Sequence, residues 1–505
     1  MSPLSEPSDS VRPFPPAGPR QLRREIGLWS AASVVVASMI GQMIFTSSGF
    51  MGHGLQHPGL VLLVWVLGAA YAIVGVLCYS ELGTLIPRPG GEYAYLREAF
   101  GPATAFLSGW ASFLGGFSAP IALCALAFVE HGATFWDTMN PQTGFKIPLP
   151  WGIELPAGNA IACAVILALT YAHYLRVSSG VRLQNVLTSL KAGAILLMVG
   201  VALASGAGRP SLLVEGGKVP PIGDLLPLLG FQLILVTFAY SGWNSVTYLG
   251  GEVREPRRTI PRAGILGTLM VTAIYLVVNC VYLMSVPVTA MENAPNIAKL
   301  SAAACFPGIG ERVISAVVML VTLASTSALV LTGSRVYFAM GEDGVAWRGL
   351  ARVTGQQATP RAAVLLQGLV AAFMALYSDF RSLANYSGTV VAVFSGLAVA
   401  SLFVLRRRYK NVDAYRAPLG PVFPGIYLAA TCAILASYVW GVVKGVGADP
   451  RWQEIIGQLP SPEAALAATR YVLKLPLVIG VLSILAGLGV YAVFRRIDRG
   501  RPQMG

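Results

Sequence analysis

The residues that could do chemistry in this chain lie in two interrupted apolar stretches and at one lysine. Ser33 to Gly49 reads SVVVASMIGQMIFTSSG, apolar enough for a bilayer but broken at Gly41 and Gln42 and closed by Thr46, Ser47 and Ser48. In lipid every backbone N–H and C=O needs a partner, so a helix breaks at membrane depth only where protein or a wet cavity covers the break. Such a break presents N–H groups at one half-helix end and carbonyls at the other, two poles able to hold a zwitterion. A second stretch, Phe238-Ala239-Tyr240-Ser241-Gly242-Trp243-Asn244, interrupts another apolar run in the same way. Lys191 sits in the middle of a third run, on one helical face with Gln184 and Thr188. An ammonium at that depth is costly and marks a functional site by default, here a coupling or structural cation.

The elements that must position these residues follow from composition. The chain has 505 residues, 55% hydrophobic and 12% charged, with a mean hydropathy of +0.65. A soluble chain carries roughly 25% charged residues. The apolar runs are long enough to cross a bilayer core of about 30 Å, and twelve are expected, near 27–50, 59–86, 103–131, 157–174, 180–205, 225–249, 262–286, 312–340, 360–378, 383–405, 422–444 and 472–495. The fold class expected is an all-α polytopic membrane protein.

The formal charge of +13 would suit nucleic acid if it were clustered on one soluble surface. Instead most Lys and Arg fall on the N-terminal tail and alternate loops, including Arg23-Arg24, Arg254 to Arg262 and Arg406 to Lys410. That is the positive-inside pattern, so no nucleic-acid partner is expected. It predicts a multi-pass protein of the cell membrane with both termini cytoplasmic. Residues 1–25 read as a disordered tail and 496–505 as a second tail. The external loops 132–156 and 445–471 have room for a short helix each. The six cysteines show no metal or disulfide spacing. No phosphate loop, nucleophile elbow or HExxH pattern is present, so no cofactor, no metal and no enzymatic activity are expected.

The two interrupted spans, the first and the sixth, open two successive groups of five. Interrupted helices at corresponding positions of two halves are the pattern of an inverted-repeat transporter with a midplane site.

Four stretches carry a resemblance to a known family. They are Met39 to Phe45; Tyr79-Ser80-Glu81-Leu82-Gly83 with Ile86 to Tyr93; Phe238 to Trp243 with Gly251 to Arg262; and Gly333 to Met340 running into Glu342-Asp343-Gly344. From about Arg24 to Arg416 the chain resembles amino acid permeases of the amino acid–polyamine–organocation superfamily, near the L-type and related bacterial branches. The resemblance implies a LeuT-like 5+5 inverted repeat with broken helices 1 and 6, the repeats at 26–205 and 225–405, and two extra C-terminal helices at 422–495. It implies a secondary transporter of neutral or small amino acids, sodium-independent, working by alternating access as a proton symporter or exchanger.

Residue by residue, backbone groups at Ile40, Gly41, Gln42 and Met43 would hold the substrate carboxylate. Carbonyls near Phe238, Ala239 and Ser241 would accept from its ammonium, with Phe238 or Tyr240 as the gating aromatic. In sodium-independent relatives a span-5 lysine stands where sodium-coupled members bind an ion, and Lys191 matches it, with Ser325 and Thr326 as neighbours. Asn279 and Tyr282 face either substrate or a neighbouring helix. The chain departs from the family at Gln42 and Met43, where a small residue and a second glycine are usual. The partners expected are an amino acid and the lipid bilayer. The loop between spans 3 and 4 has no cysteine, so no disulfide-linked heavy subunit is expected. The alternatives are an amine or polyamine transporter, a membrane sensor that binds without transport, and a carrier of the major facilitator type.

Overall fold

Apolar runs of this length satisfy their backbone internally by becoming helices, and the computed structural model shows them so. It describes residues 24–140, 144–148, 154–175, 177–217, 219–293, 296–353, 359–377, 380–448 and 476–499. The expected N-terminal tail lies almost wholly outside these residues, as do most of the 445–471 loop and the end of the C-terminal tail.

Among the described residues ten helices are long and apolar enough to cross a membrane, from Leu28–Gly52 to Val422–Lys444. Two shorter apolar helices, Arg361–Tyr377 and Gly480–Phe494, fall where spans 9 and 12 are expected. The protein is an all-α polytopic membrane protein. Spans 1, 3, 8 and 10 are mostly covered by other helices, whereas spans 4, 5 and 11 expose large apolar side chains such as Tyr171, Leu197 and Trp440. A helix apolar on its outer face beside a packed inner ring belongs in hydrocarbon.

Three departures from straight helices shape the interior. Span 1 is split into Leu28–Met39 and Met43–Leu55. Span 6 ends at Ala239 and resumes as the short helix Ser245–Tyr248. Span 3, expected as one helix, is three pieces: Pro102–Ala111, a π-helical segment Ser112–Ser118, and Ala119–Gly132. π segments concentrate at functional sites. Among the described residues of the 132–156 loop, where there is room for a short helix, lie a 3₁₀ turn at Asp137–Met139 and two antiparallel strands. Lys146–Pro148 pairs there with Glu154–Pro156, and the helix Ala157–Leu175 begins directly after the second strand.

At the end of the bundle that carries the basic loops, acids hold arginines from distant helices. Glu81 accepts Arg406 Nη2 at 2.6 Å, Arg416 Nη1 at 3.1 Å and the Ala417 amide at 2.9 Å. Glu252 takes Arg335 in a two-point contact at 2.8 and 3.2 Å. Asp343 takes Arg88 and Arg97, and Glu98 takes Arg408. Removing one partner of a buried pair strands the other charge, at about 3–5 kcal/mol. These pairs tie span 2 to span 10, and the loop after span 6 to span 8.

Candidate functional site

The site begins with the carbonyls that the span 1 break leaves without an intrahelical partner. The last turn of Leu28–Met39 has no following helix to bond to. Side chains from three other spans take its oxygens. Lys191 Nζ donates to Ala37 O at 2.8 Å. The Tyr275 hydroxyl lies 2.7 Å from Met39 O, and Ser325 Oγ lies 2.8 Å from Ile40 O. Lys191, fully buried, also donates to Ser325 Oγ at 2.9 Å, so spans 1, 5 and 8 meet in one chain of hydrogen bonds.

The other pole is the start of Met43–Leu55. Its preceding residue, Gln42, makes no side-chain cap, and its Oε1 instead accepts Cys124 Sγ at 3.2 Å. A Cβ placed on Gly41 would meet nothing within 4 Å, so the backbone there borders open space. A helix N-terminus open to a cavity suits an anion such as a carboxylate.

Span 6 breaks against span 1. Gly242 has φ +102°, and a Cβ there would come within 2.7 Å of the Ser38 carbonyl carbon and oxygen. Only glycine accepts both the conformation and the approach. Tyr275 reaches this second break too, its hydroxyl 3.0 Å from Ala239 O. One tyrosine of span 7 therefore bridges both interrupted helices.

Between the breaks lies a cavity of about 80 Å³, room for several waters where about 10–15 Å³ admits one. Gly41, Gln42, Met43, Phe238, Ala239, Ser241 and Ser325 line it, together with Ser112, Gly116 and Phe117 of the π-helical segment. These sequence-predicted residues are brought together.

The others lie off its wall. Ile40 and Lys191 sit behind Ser325. Tyr240 packs edge-on to Trp65 and tilted against Tyr275, at ring distances of 5.8 and 5.1 Å, so of the two aromatics expected to gate the site Phe238 is the one on the cavity. Thr326 Oγ1 donates to Thr322 O of its own helix at 2.9 Å. Asn279 donates to Tyr275 O at 2.7 Å and bonds Ser48, which accepts Trp65 Nε1. Tyr282 is buried and no partner of its hydroxyl is found among the described residues. The Gln184 side chain lies outside the described residues.

Sequence reasoning missed three side chains. Tyr275 could have been found from its spacing, four residues before Asn279 on the same face. Glu92 and Asn244 also line the cavity, and both stand inside motifs whose individual roles were left unassigned. Glu92 Oε1 accepts Tyr79 Oη at 2.6 Å and Asn244 Nδ2 at 3.1 Å. It precedes span 3 in the helix Glu92–Phe100, where burial pushes its carboxyl up to about 7 against the lowering effect of these donors and Tyr248. Among the described residues no group of three or more His, Cys, Asp or Glu is placed to hold a metal ion.

The arrangement sets an open helix N-terminus and free carbonyls across one cavity, a geometry able to hold a small zwitterion. Comparison with known proteins agrees. The family profile described as amino acid permease matches residues 26–460. The large neutral amino acids transporter small subunit 2 of Rattus norvegicus is 31% identical over 442 residues, covering 84% of this chain and 78% of that one. The b(0,+)-type amino acid transporter 1 of Homo sapiens is 29% identical over 448 residues, covering 86% and 84%. The chain belongs to the amino acid permease family, and is a multi-pass membrane transporter of amino acids rather than an enzyme.

Proposed function

We propose that the transport is secondary active and sodium-independent, moving neutral or small amino acids by proton symport or exchange. One observation carries this reading: Lys191 Nζ, 2.8 Å from Ala37 O and 2.9 Å from Ser325 Oγ, occupies the oxygens beside the span 1 break. A fixed ammonium there already supplies the charge that a bound sodium would bring, and a second cation would meet a like charge at close range. The substrate carboxylate faces the amides at Gly41, Gln42 and Met43, and its ammonium faces carbonyls of Phe238, Ala239 and Ser241. Ala239 O keeps a second lone pair beside its bond to Tyr275.

Twelve spans, with repeats at 26–205 and 225–405 and two further helices at 422–495, then rock around this site by alternating access. The basic loops and both termini face the cytoplasm of a cell-membrane protein. Relatives named for large neutral amino acids support the neutral class. Their designation as small subunits argues for assembly with a second chain, and the cysteine-free 132–156 loop argues only against a disulfide from that loop.

The test is uptake and counterflow in proteoliposomes over a panel of labelled amino acids, with and without pH and sodium gradients. Lys191→Ala is expected to abolish uptake or its response to the pH gradient. Uptake that requires sodium, or a Lys191→Ala protein that transports normally at every pH, would sink the reading. Binding without flux for every compound would instead identify a sensor.

A further inference from the structure

Span 7, the helix Pro256–Ser285, has two working faces. Tyr275 and Asn279 are buried on the inner one. On the outer one Arg258, Arg262, Leu269, Ala273 and Val277 are exposed at helical spacing, with Leu266 half-buried between them. This stripe is basic at the end of the bundle that carries the basic loops and apolar beyond it. Arg254, just ahead of the helix, is exposed too. The arginines are poorly compensated. Arg258 Nη1 lies 3.9 Å from Glu255 Oε2, and both side chains are largely exposed, the setting of a weak surface pair. Arg257 is taken by Asp413 at 2.9 Å. Arg254 and Arg262 have no acidic partner among the described residues. Cations in the opening turns oppose the helix dipole, and no acid stands in the first turn, so helix stability does not account for them.

Span 1 brings an aromatic to the same level. A parallel bridge pairs Ile26 with Val253, and the Arg254 amide donates to Ile26 O at 2.9 Å. The two spans leave that bridge side by side: a Cβ on Gly267 would stand 2.7 Å from Val35 Cγ1 and 3.3 Å from Ala32 O. Trp29, one turn before Ala32, therefore lies near the turn that carries Arg262, and its ring is 74% exposed. An outward indole at the end of an apolar helix marks the headgroup level of a bilayer. From Arg262 to Ala273 the helix rises about 16 Å, about half the thickness of a hydrocarbon core of about 30 Å. The apolar part of the stripe is thus as long as one leaflet is deep.

We propose that this outer face is a binding site for an anionic phospholipid, its phosphate held by Arg254, Arg258 and Arg262 and one acyl chain laid along Leu269 and Ala273. Guanidinium groups present a planar fork of donors that suits phosphate oxygens, and basic clusters at the end of a membrane helix attract anionic headgroups. The occupant is a lipid because charge and apolar surface follow one another on a single face. A soluble phosphate or an acidic peptide would cover the arginines and leave the apolar part of the stripe bare. Trp29 flanks the headgroup. The site lies outside the transport cavity, and its readout is binding, so it stands or falls independently of the uptake assays.

The experiment is titration of the full chain in detergent with phosphatidylglycerol or phosphatidylcholine of the same acyl chains, bound lipid being counted by native mass spectrometry. The native chain is expected to take phosphatidylglycerol at about tenfold lower concentration or less, and the double variant Arg258→Gln, Arg262→Gln to lose that preference. The double variant Arg258→Lys, Arg262→Lys keeps the charge without the fork and restores part of it. These side chains are exposed, so melting temperatures without lipid are expected to match the native value. Equal uptake of the two lipids by the native chain overturns the proposal, as does an undiminished preference in the glutamine variant. An equal loss in Arg348→Gln, Arg352→Gln, two exposed arginines of the loop between spans 8 and 9, would reveal a diffuse basic surface and overturn it too. Inorganic phosphate that displaces the lipid at the same concentration would show that the acyl chain contributes nothing, and would remove the lipid as the occupant.

Discussion

Tyr275→Phe removes one oxygen and nothing else, which makes it the sharpest probe of how the two helix breaks are held. The hydroxyl lies 2.7 Å from Met39 O and 3.0 Å from Ala239 O, with the Gly41 amide also beside it. It has one proton, so it donates to one carbonyl at a time. The phenyl ring that remains keeps its ring contacts to Trp65 and Tyr240, at 5.3 and 5.1 Å. What is lost is a buried donor facing carbonyls that have no helix to bond to, at about 1–3 kcal/mol for a group left unsatisfied. That penalty falls on the arrangement in which both breaks converge on Tyr275. It corresponds to about 5- to 150-fold in the equilibrium between this state and any state that releases the contact. Initial uptake rate and KM in proteoliposomes, with thermal unfolding in detergent, measure it. The expected outcome is a change in rate or KM within that range, with the fold retained. Uptake and KM equal to the native values, in a protein of unchanged thermal stability, would refute the bridging role.

Gly242→Ala is expected to destabilise the protein more than Tyr275→Phe, because it adds about 1–3 kcal/mol of backbone strain at φ +102° and drives a methyl into the Ser38 carbonyl. Monodispersity and melting temperature in detergent check it, and a protein as stable as the native one would show that span 6 can move off span 1. Met43→Gly removes a side chain from the cavity wall beside the open N-terminus of Met43–Leu55. It is expected to broaden or shift the substrate range toward larger amino acids, read from competition against labelled leucine, and an unaltered competition profile would count against Met43 as a size filter.

The bundle of apolar helices was legible in the sequence because hydrophobic length is a local property and each long run must become a helix in lipid. The two breaks were legible for the same reason: Gly41-Gln42 and Ser241-Gly242 put a glycine beside a polar residue in the middle of apolar runs. Lys191 was legible because one ammonium in an apolar run is conspicuous wherever it points. Which face each residue takes was not legible in runs apolar on every side. Tyr240, Asn279 and Tyr282 turn into helix packing, while Phe238 and Ser325 reach the cavity. The π-helical turn at Ser112–Ser118 was hidden because no residue type demands one, though the neighbouring Gly115-Gly116 permits it.

By itself, then, the sequence determined a polytopic helical membrane protein with two interrupted spans and a buried lysine. Only the tertiary structure decided how those interruptions are satisfied. The carbonyls of Ala37, Met39, Ile40 and Ala239 find donors on spans 5, 7 and 8, more than thirty residues away in every case. It also decided that Glu92, at the Gly90-Gly91 turn, has no arginine partner among the described residues while Glu81 and Glu252 each hold one. The physical reason is the same for both. A broken helix or a buried charge is a demand that sequence can reveal, but the group that meets it comes from whichever helix packs alongside.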